Sequence, residues 1–493
     1  MRWNLLVLPI FAVGLTAQTD PDGKAENGIN NSPGRERVDP AVNMTVVKSW
    51  SRPGTLAYSD IWGWTSPAGR EFAYVGEHQG IWFVETTDPA NVKEIGHWTA
   101  PVSTWRDFTN LGPYVYSVSE HHRGIRIIDM RNPDAPVDLG TIETRAIRSS
   151  HNISCDPSTN HLYVSGTNQG LVVLDASQSR TSPKIVSTWN TSYTHDCCIR
   201  KGRAYLANGG LSVARIMDAT NPSQLREIGS LNSPGGYSHN VWVSEDGNLL
   251  CHTDEMPRTS TGAPMSIWDI SNPGAPVRKA VFDLQGIVHN VFILGRTAYM
   301  SHYVDGVQVV DLSEPNKPHV IASYDTSGVA AGFAGCWGVY PFSESGLIYA
   351  TDISRGLFVL QQNRGHLNRF GDGVAGSNGV VPRLTFAGSA PRVGGSKLRL
   401  EVENLRPNAS FYLLISAGAG GGSVFGVPMH VDVSNALILQ LKANSKGALS
   451  IPAPMPNDKG LSLNRFYLQV LSRDSGLSGG FSSSRGMWTG IAL

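Results

Sequence analysis

Apolar and polar positions follow one order seven times along the chain. A polar pair opens a short apolar strand, and a second strand centred on Tyr follows. A third strand runs from Gly to an acid, and after a turn rich in Asn and Pro comes a fourth strand. The pairs are Ser59-Asp60, Arg106-Asp107, His151-Asn152, His195-Asp196, His239-Asn240, His289-Asn290 and, in degenerate form, Cys336-Trp337. Their second members fall 44 to 50 residues apart. A period of about 40–50 residues built from short strands predicts a stack of four-stranded antiparallel sheets. Typical second strands are Tyr114-Val115-Tyr116-Ser117 and Ala298-Tyr299-Met300; third strands run Gly124 to Asp129 and Gly170 to Asp175. The fifth unit is longer, because Met256 to Pro264 extends the loop between its second and third strands.

The last unit stops at Leu360 without a fourth strand, while Val46 to Trp50 resembles an orphan fourth strand in pattern. Pairing the two would close a ring and remove two exposed sheet edges. The expected fold is all-β: a seven-bladed β-propeller over 45–363, closed by the N-terminal strand. A linker over 364–379 and a small β-sandwich over 380–493 follow. Sandwich strands are expected at Leu398 to Val402, Phe411 to Ile415, Ala436 to Leu441, Ala448 to Ile451 and Phe466 to Val470.

Composition narrows the function classes. The 40 basic and 40 acidic residues balance, and no Lys/Arg cluster stands out. Nucleic acid and acidic lipid therefore find no electrostatic footprint. Arg2, the apolar run Leu5 to Leu15 and Leu15-Thr16-Ala17 read as an export signal over 1–17, with Ala12-Val13-Gly14 as a second cleavage candidate. An uncleaved anchor is the alternative. Residues 18–44, polar and rich in Asn, Asp, Gly and Pro, read as a flexible leader. No later segment reaches the roughly 20 apolar residues of a membrane helix. The five cysteines are odd in number and lie in or beside strands, so buried free thiols are the plainest reading. Cys197 and Cys198 should face opposite sides of their strand.

Antiparallel order brings the start of each innermost strand and the end of each second strand to one face of the disc. The polar pairs should meet there with Glu77, His78, Glu120, His121, Asn168, Asn208, Asp254, Glu255, His302 and Asp352. The ligand-binding candidates are Asp60, Asp107, Asp196, Asn240, Glu77, Glu120, Asp254, His302 and Asp352. His151, His195, His239 and His289 could meet near one axis as ligands of a divalent metal; neutral imidazole suits Fe, Zn, Cu or Mn. The competing reading has the His-Asn and His-Asp pairs bonding neighbouring blades and satisfying buried backbone groups. Strand alternation would let only one member of each pair face the channel. His97, His161, His252, His319, His366 and His430 fall outside the register and read as surface or packing residues.

No catalytic motif survives. Gly210 to Ala214 lacks the strand-turn-helix context of a nucleophile elbow, and Gly418 to Gly422 lacks the Lys and helix of a phosphate loop. Trp62 and Trp64 offer faces for a sugar but more often pack between blades.

Tyr58 to Trp64, Trp105-Arg106-Asp107, His151-Asn152-Ile153, Tyr193 to Asp196 and Trp337 to Pro341 resemble the choice-of-anchor B proteins. The third-strand phrases, such as Val309-Val310-Asp311, resemble the LVIVD repeats of that family. The likeness spans about residues 45–361. It implies an exported bacterial propeller that attaches to the cell surface through its C-terminal module, with no agreed reaction. Family members often carry a Cys shortly after the His-Asp motif and a partner downstream; here Cys197-Cys198 stands immediately after it, so no family disulfide transfers. The C-terminal stretch resembles the Gly-rich modules of exported planctomycete-type proteins. The expected function is that of a secreted or cell-surface binding protein with a His/Asp/Glu-lined channel mouth, whose partner is a glycan, a protein or another surface component. The alternative is a metal-dependent enzyme, an oxidoreductase or hydrolase, using the His ring.

Overall fold

The computed structural model describes residues 41–256, 263–284, 286–328, 332–363, 365–387, 391–458, 461 and 465–491. The expected export signal, the leader as far as residue 40 and residues 257–262 of the long loop lie outside the described residues. The described chain is almost wholly β, with one 3-10 turn at Val433–Asn435.

Residues 41–362 form a series of antiparallel sheets with strands in sequence order. The first contains Tyr58–Thr65, Glu71–Glu77, Gly80–Glu85 and Lys93–Thr99. Five more follow with the same up-and-down order, starting at Arg106, Asn152, Asp196, Ser238 and Val291. The last sheet has Cys336–Tyr340, Ile348–Asp352 and Gly356–Gln362, and its outer strand is Met44–Trp50, with Met44 opposite Gln362 and Trp50 opposite Leu357. The innermost strands of successive sheets are neighbours, and Cys336–Tyr340 packs against Tyr58–Thr65. One strand lies where a leader was expected: Ala41–Val42 adds a fifth strand to the sixth sheet, against Ser323 and Tyr324.

Two sequence features explain the repeat. Six of the seven second strands carry a Tyr buried between sheets, Tyr74, Tyr116, Tyr163, Tyr205, Tyr299 and Tyr349, while Leu249–Asp254 has none. Tyr116, for example, shares one cluster with Ile153, Leu162 and Val164 of the next sheet. Burying side chains of this size contributes roughly 2–3 kcal/mol each, more than a ladder hydrogen bond, so packing between sheets holds the series together. The acid closing each third strand makes the turn: Asp129, Asp175, Asp218, Asp269 and Asp311 each accept the backbone N–H two residues on. Such Asx turns end one strand and aim the next. The cysteines are all free; Cys197 packs towards Tyr163 and Cys198 towards Val241, on opposite faces.

The C-terminal unit has two sheets over one core. Leu384, Leu400 and Val402 from one pack on Phe411, Leu413, Leu468 and Val470 from the other. Asn368–Phe370, within the stretch expected to be a linker, pairs with Gly486–Gly490 and so belongs to this unit. Arg383–Ala387, Phe481–Ser483 and Gly486–Gly490 are further strands that the pattern did not mark.

The unit docks on the first, sixth and last sheets of the repeat through polar groups. Arg392 pairs with Asp311 at 3.3 Å, and Glu71 accepts from Ser345 and Tyr349 with Arg485 3.9 Å away. His366 was expected to be an ordinary packing residue; it is buried at this junction. Its Nε2–H donates to the Gly346 carbonyl (2.8 Å), so Nδ1 accepts from the Tyr299 hydroxyl (2.9 Å). Burial pushes the His366 imidazole down to about 4 from its ordinary 6.5. A depressed histidine gives its full stabilisation above the unfolded pKa, and this is lost as pH falls from about 6.5 towards about 4. Urea unfolding of wild type and His366→Gln across that window should show the wild-type advantage shrinking with acid by up to roughly 3 kcal/mol. A difference independent of pH would contradict this assignment.

Candidate functional site

The polar pairs stand where the innermost strands begin, and the backbone there breaks the simple alternation. Ser238 and Asn240 oppose Asp254 and Thr253, leaving His239 as the extra residue of a β-bulge. Trp337 is the extra residue between Cys336 and Gly338. The N–H of His289 donates to the Ser301 carbonyl and the N–H of Ser301 to that of Asn290, so one residue serves two. His151 repeats the pattern, its N–H donating to the carbonyl of Ser165 while Asn152 is the register partner of Ser165. His195 precedes its strand, which starts at Asp196. A bulge re-aims consecutive side chains. The expected alternation holds for Ser59-Asp60, His195-Asp196 and His239-Asn240, of which only Asp60, Asp196 and His239 line one small axial cavity, and fails for Arg106-Asp107, His151-Asn152 and His289-Asn290, both members of which line it.

The four imidazoles stand in a row, with ring centres 3.9 Å (His151–His195), 4.3 Å (His195–His239) and 4.4 Å (His239–His289) apart. Trp337 continues the row at 4.9 Å from His289. Each ring is bonded to the next sheet. Nδ1 of His195 lies 3.1 Å from the His239 carbonyl, Nδ1 of His239 lies 3.0 Å from the His289 carbonyl, and Nδ1 of His289 lies 2.5 Å from the Trp337 carbonyl. A carbonyl only accepts, so Nδ1 carries the proton in all three and Nε2 carries the lone pair. His151 differs, with Nδ1 2.6 Å from Oε1 of Glu120.

Burial lowers His195 and His239 well below the ordinary imidazole range and His289 to about 3. All three are neutral at physiological pH. Burial is the largest influence on His151 and works against its charge, but the hydrogen bond to Glu120 and the charges of Glu120, Asp196 and Glu255 together raise that imidazole. Ring nitrogens of His151, His195 and His239 lie within 4.8 Å of one another; His239, Glu255 and His289 form a second such group. Nε2 of His239 is 3.5 Å from Glu255 Oε2, and Nε2 of His289 is 3.9 Å from Oε1, which accepts the Tyr303 hydroxyl at 2.8 Å. Burial pushes Glu255 up to about 7. Two groups of three side chains, sharing His239, thus bring nitrogen and carboxylate atoms close enough together that they could hold a metal ion.

The carboxylates and amides of the pairs form a second tier. Asn152 Nδ2 donates to Asp107 Oδ2, and Asn240 Nδ2 to Asp196 Oδ2 at 3.0 Å. Burial pushes Asp60 up to about 7 and Asp196 to about 6; burial and the nearby Asp60 and Asp196 hold Asp107 well above the ordinary carboxylate range. Two residues further along their strands, Trp62, Trp242 and Phe292 meet, with Phe292 6.0 Å from Trp62 and 4.7 Å from Trp242. Trp62 also donates to Asn110 and packs on Tyr340, so it is a packing residue and presents no sugar platform.

The remaining candidates serve elsewhere. Glu77 bonds His97 of its own sheet's outer strand (2.9 Å) and lies 2.9 Å from His78. Asp254 accepts from Ser233 and the Gly235 N–H, Asp352 accepts from Thr326 (2.8 Å), and His302 pairs with Asp305 at 2.9 Å. Their bonds organise loops, and none lines the axial cavity. Trp105, Arg106, Asn152, Asn290 and Trp337 also line the cavity and were absent from the candidate ligand set. Glu255, grouped with Asp254 by sequence, is the one of the two that reaches the imidazoles.

A model of the LVIVD repeat matches residues 153–191 and 285–326, two of the repeated units. Among solved structures, the chain is similar to one titled "Structure of U3-55K", with TM-score 0.48, 10% identity, and coverage of 64% of this chain and 98% of that one. It is also similar to Kuenenia stuttgartiensis hydrazine synthase, with TM-score 0.49, 13% identity, and coverage of 63% and 96%. Comparison with curated proteins finds no match. The chain carries LVIVD repeats in a fold of the β-propeller type.

Proposed function

We propose that this protein is an exported, surface-associated binding protein whose propeller axis holds a divalent transition metal and offers it to a ligand at the channel mouth. In this reading the repeat is a seven-bladed ring closed by Met44–Trp50, and the C-terminal unit mediates attachment. His151, His195 and His239 are the ligands, with His289 and Glu255 beside them; the metal is Zn, Fe, Cu or Mn. One observation carries the reading. Each Nδ1–H of His195, His239 and His289 is spent on a carbonyl of the next sheet, which leaves the Nε2 lone pairs for a ligand, and nitrogens of His151, His195 and His239 lie within 4.8 Å of one another. Outer hydrogen bonds of this kind fix ring orientation and raise ligand basicity. A purely structural role for these histidines accounts for the Nδ1 bonds and leaves the clustered second nitrogens unexplained.

A second reading, a metal-dependent enzyme, draws on Glu255. Held by Tyr303 and pushed up to about 7 by burial, it is the group that would exchange a proton with a metal-bound water. No helix among the described residues is long and apolar enough to cross a membrane.

Elemental analysis of the purified chain should find one transition metal per protein, falling at least about tenfold in His239→Ala at preserved circular dichroism. Metal-free wild type after supplementation with each of the four ions would contradict the site. Closure makes its own demand: deleting Ala41–Trp50 bares the edges of the last two sheets and should lower the melting temperature by more than about 5 °C or cause aggregation. A deletion variant that melts with wild type would overturn the closed ring.

A further inference from the structure

We propose that the junction between the repeat and the C-terminal unit binds a small monocarboxylate whose apolar body is about the size of benzoate. A cavity of about 150 Å³ lies there. It is lined by the turn between the first two strands of the sixth sheet, the loop after Cys336–Tyr340 of the last sheet, and the C-terminal unit. An apolar cavity of about that volume accepts a benzene ring. Ligand sites favour such junctions, with mostly apolar walls and a few convergent polar groups.

The walls set the ligand's chemistry. Phe342, Leu367 and Phe386 supply apolar surface and Arg296, Arg369 and Arg383 supply three guanidinium groups, while no acid among the described residues lines the cavity. The acid partners of these arginines stand outside the lining. Arg296 pairs with Asp246 at 2.5 Å, and Arg383 with Glu344 at 3.4 Å and Glu403 at 3.5 Å. Those carboxylates are 37% to 49% exposed, where water and salt leave an ion pair little strength. Arg369 is the buried member, its side chain 10% exposed. Its Nη1 and Nη2 donate to the carbonyls of Glu344 and Leu384, and the Glu344 carboxylate is 3.6 Å away. Its Nε–H is buried without an acceptor. A buried donor left unsatisfied is costly, and more so on a charged group. Burial lowers Arg369 to about 10; Glu344 and Glu71 oppose this, and the charges of Arg383 and Arg485 add to it. A carboxylate beside Arg369 and Arg383 would supply charge and two acceptor oxygens, the pairing that a guanidinium favours. Its apolar body would cover Phe342, Leu367 and Phe386. Inorganic phosphate would match the arginines and leave those walls bare.

Isothermal titration of the full chain with benzoate at neutral pH should show saturable binding of one ligand per protein. Benzyl alcohol keeps the ring without the charge, and inorganic phosphate keeps the charge without the ring. Each should bind at least about tenfold more weakly than benzoate. Arg383→Gln should weaken benzoate by a similar factor. His239→Ala should leave benzoate binding unchanged, because a carboxylate held by a metal at the axis would be lost in that variant. No saturable binding at millimolar benzoate overturns the proposal, as does either analogue binding as tightly as benzoate. Unchanged affinity in Arg383→Gln, or loss of binding in His239→Ala, overturns it too. Should Arg383→Gln fail to fold, the wild-type contrast between benzoate and its two analogues decides in the same way.

Discussion

The centre of this molecule depends on a hydrogen bond from the Nδ1–H of one imidazole to the backbone carbonyl at the next sheet's polar pair. His195, His239 and His289 each make it. The bond joins neighbouring sheets at the axis, where the innermost strands crowd, and it fixes which nitrogen of each ring keeps its lone pair. Structure and chemistry are therefore the same contact. Burial then keeps the rings neutral, so that converging nitrogens do not repel as cations.

Around that bond the axis is layered by the strand period. Imidazoles stand at the bulged residue, carboxylates and amides at the first regular position, and Trp62, Trp242 and Phe292 two residues on. The aromatic layer seals the channel beneath the polar ones and contributes to the packing between sheets that buries the second-strand tyrosines. A low-dielectric floor below polar groups strengthens their interactions and makes each unsatisfied acceptor expensive.

Much of this was legible in the residues. The 44- to 50-residue spacing of the polar pairs gave the sheets, and the Tyr and closing Asp of each unit gave strand order and turns. The convergence of His151, His195, His239 and His289 followed from antiparallel order alone. The bulge did not, because an extra residue in one strand leaves no periodic trace; alternation then wrongly separated His151 from Asn152 and His289 from Asn290, while it held for His195-Asp196 and His239-Asn240. For the same reason the sequence could not choose between Asp254 and Glu255, adjacent acids whose side chains part at a strand end. Cys336-Trp337 looked degenerate, yet the Trp337 carbonyl and ring fill the place that a fifth histidine would occupy. Asn368–Phe370 was hidden by its Gly-rich surroundings, which read as a linker although the strand has a partner 118 residues later, from Asn368 to Gly486. Non-local pairing of that range carries no local signal.

The central claim concerns which nitrogen bears the proton. Long-range ¹H–¹⁵N correlation spectra of the histidine-labelled, metal-free chain at neutral pH report this for each ring. The account predicts neutral Nδ1–H tautomers for His195, His239 and His289. Nε2–H tautomers, or charged imidazolium rings at these three positions, would contradict it.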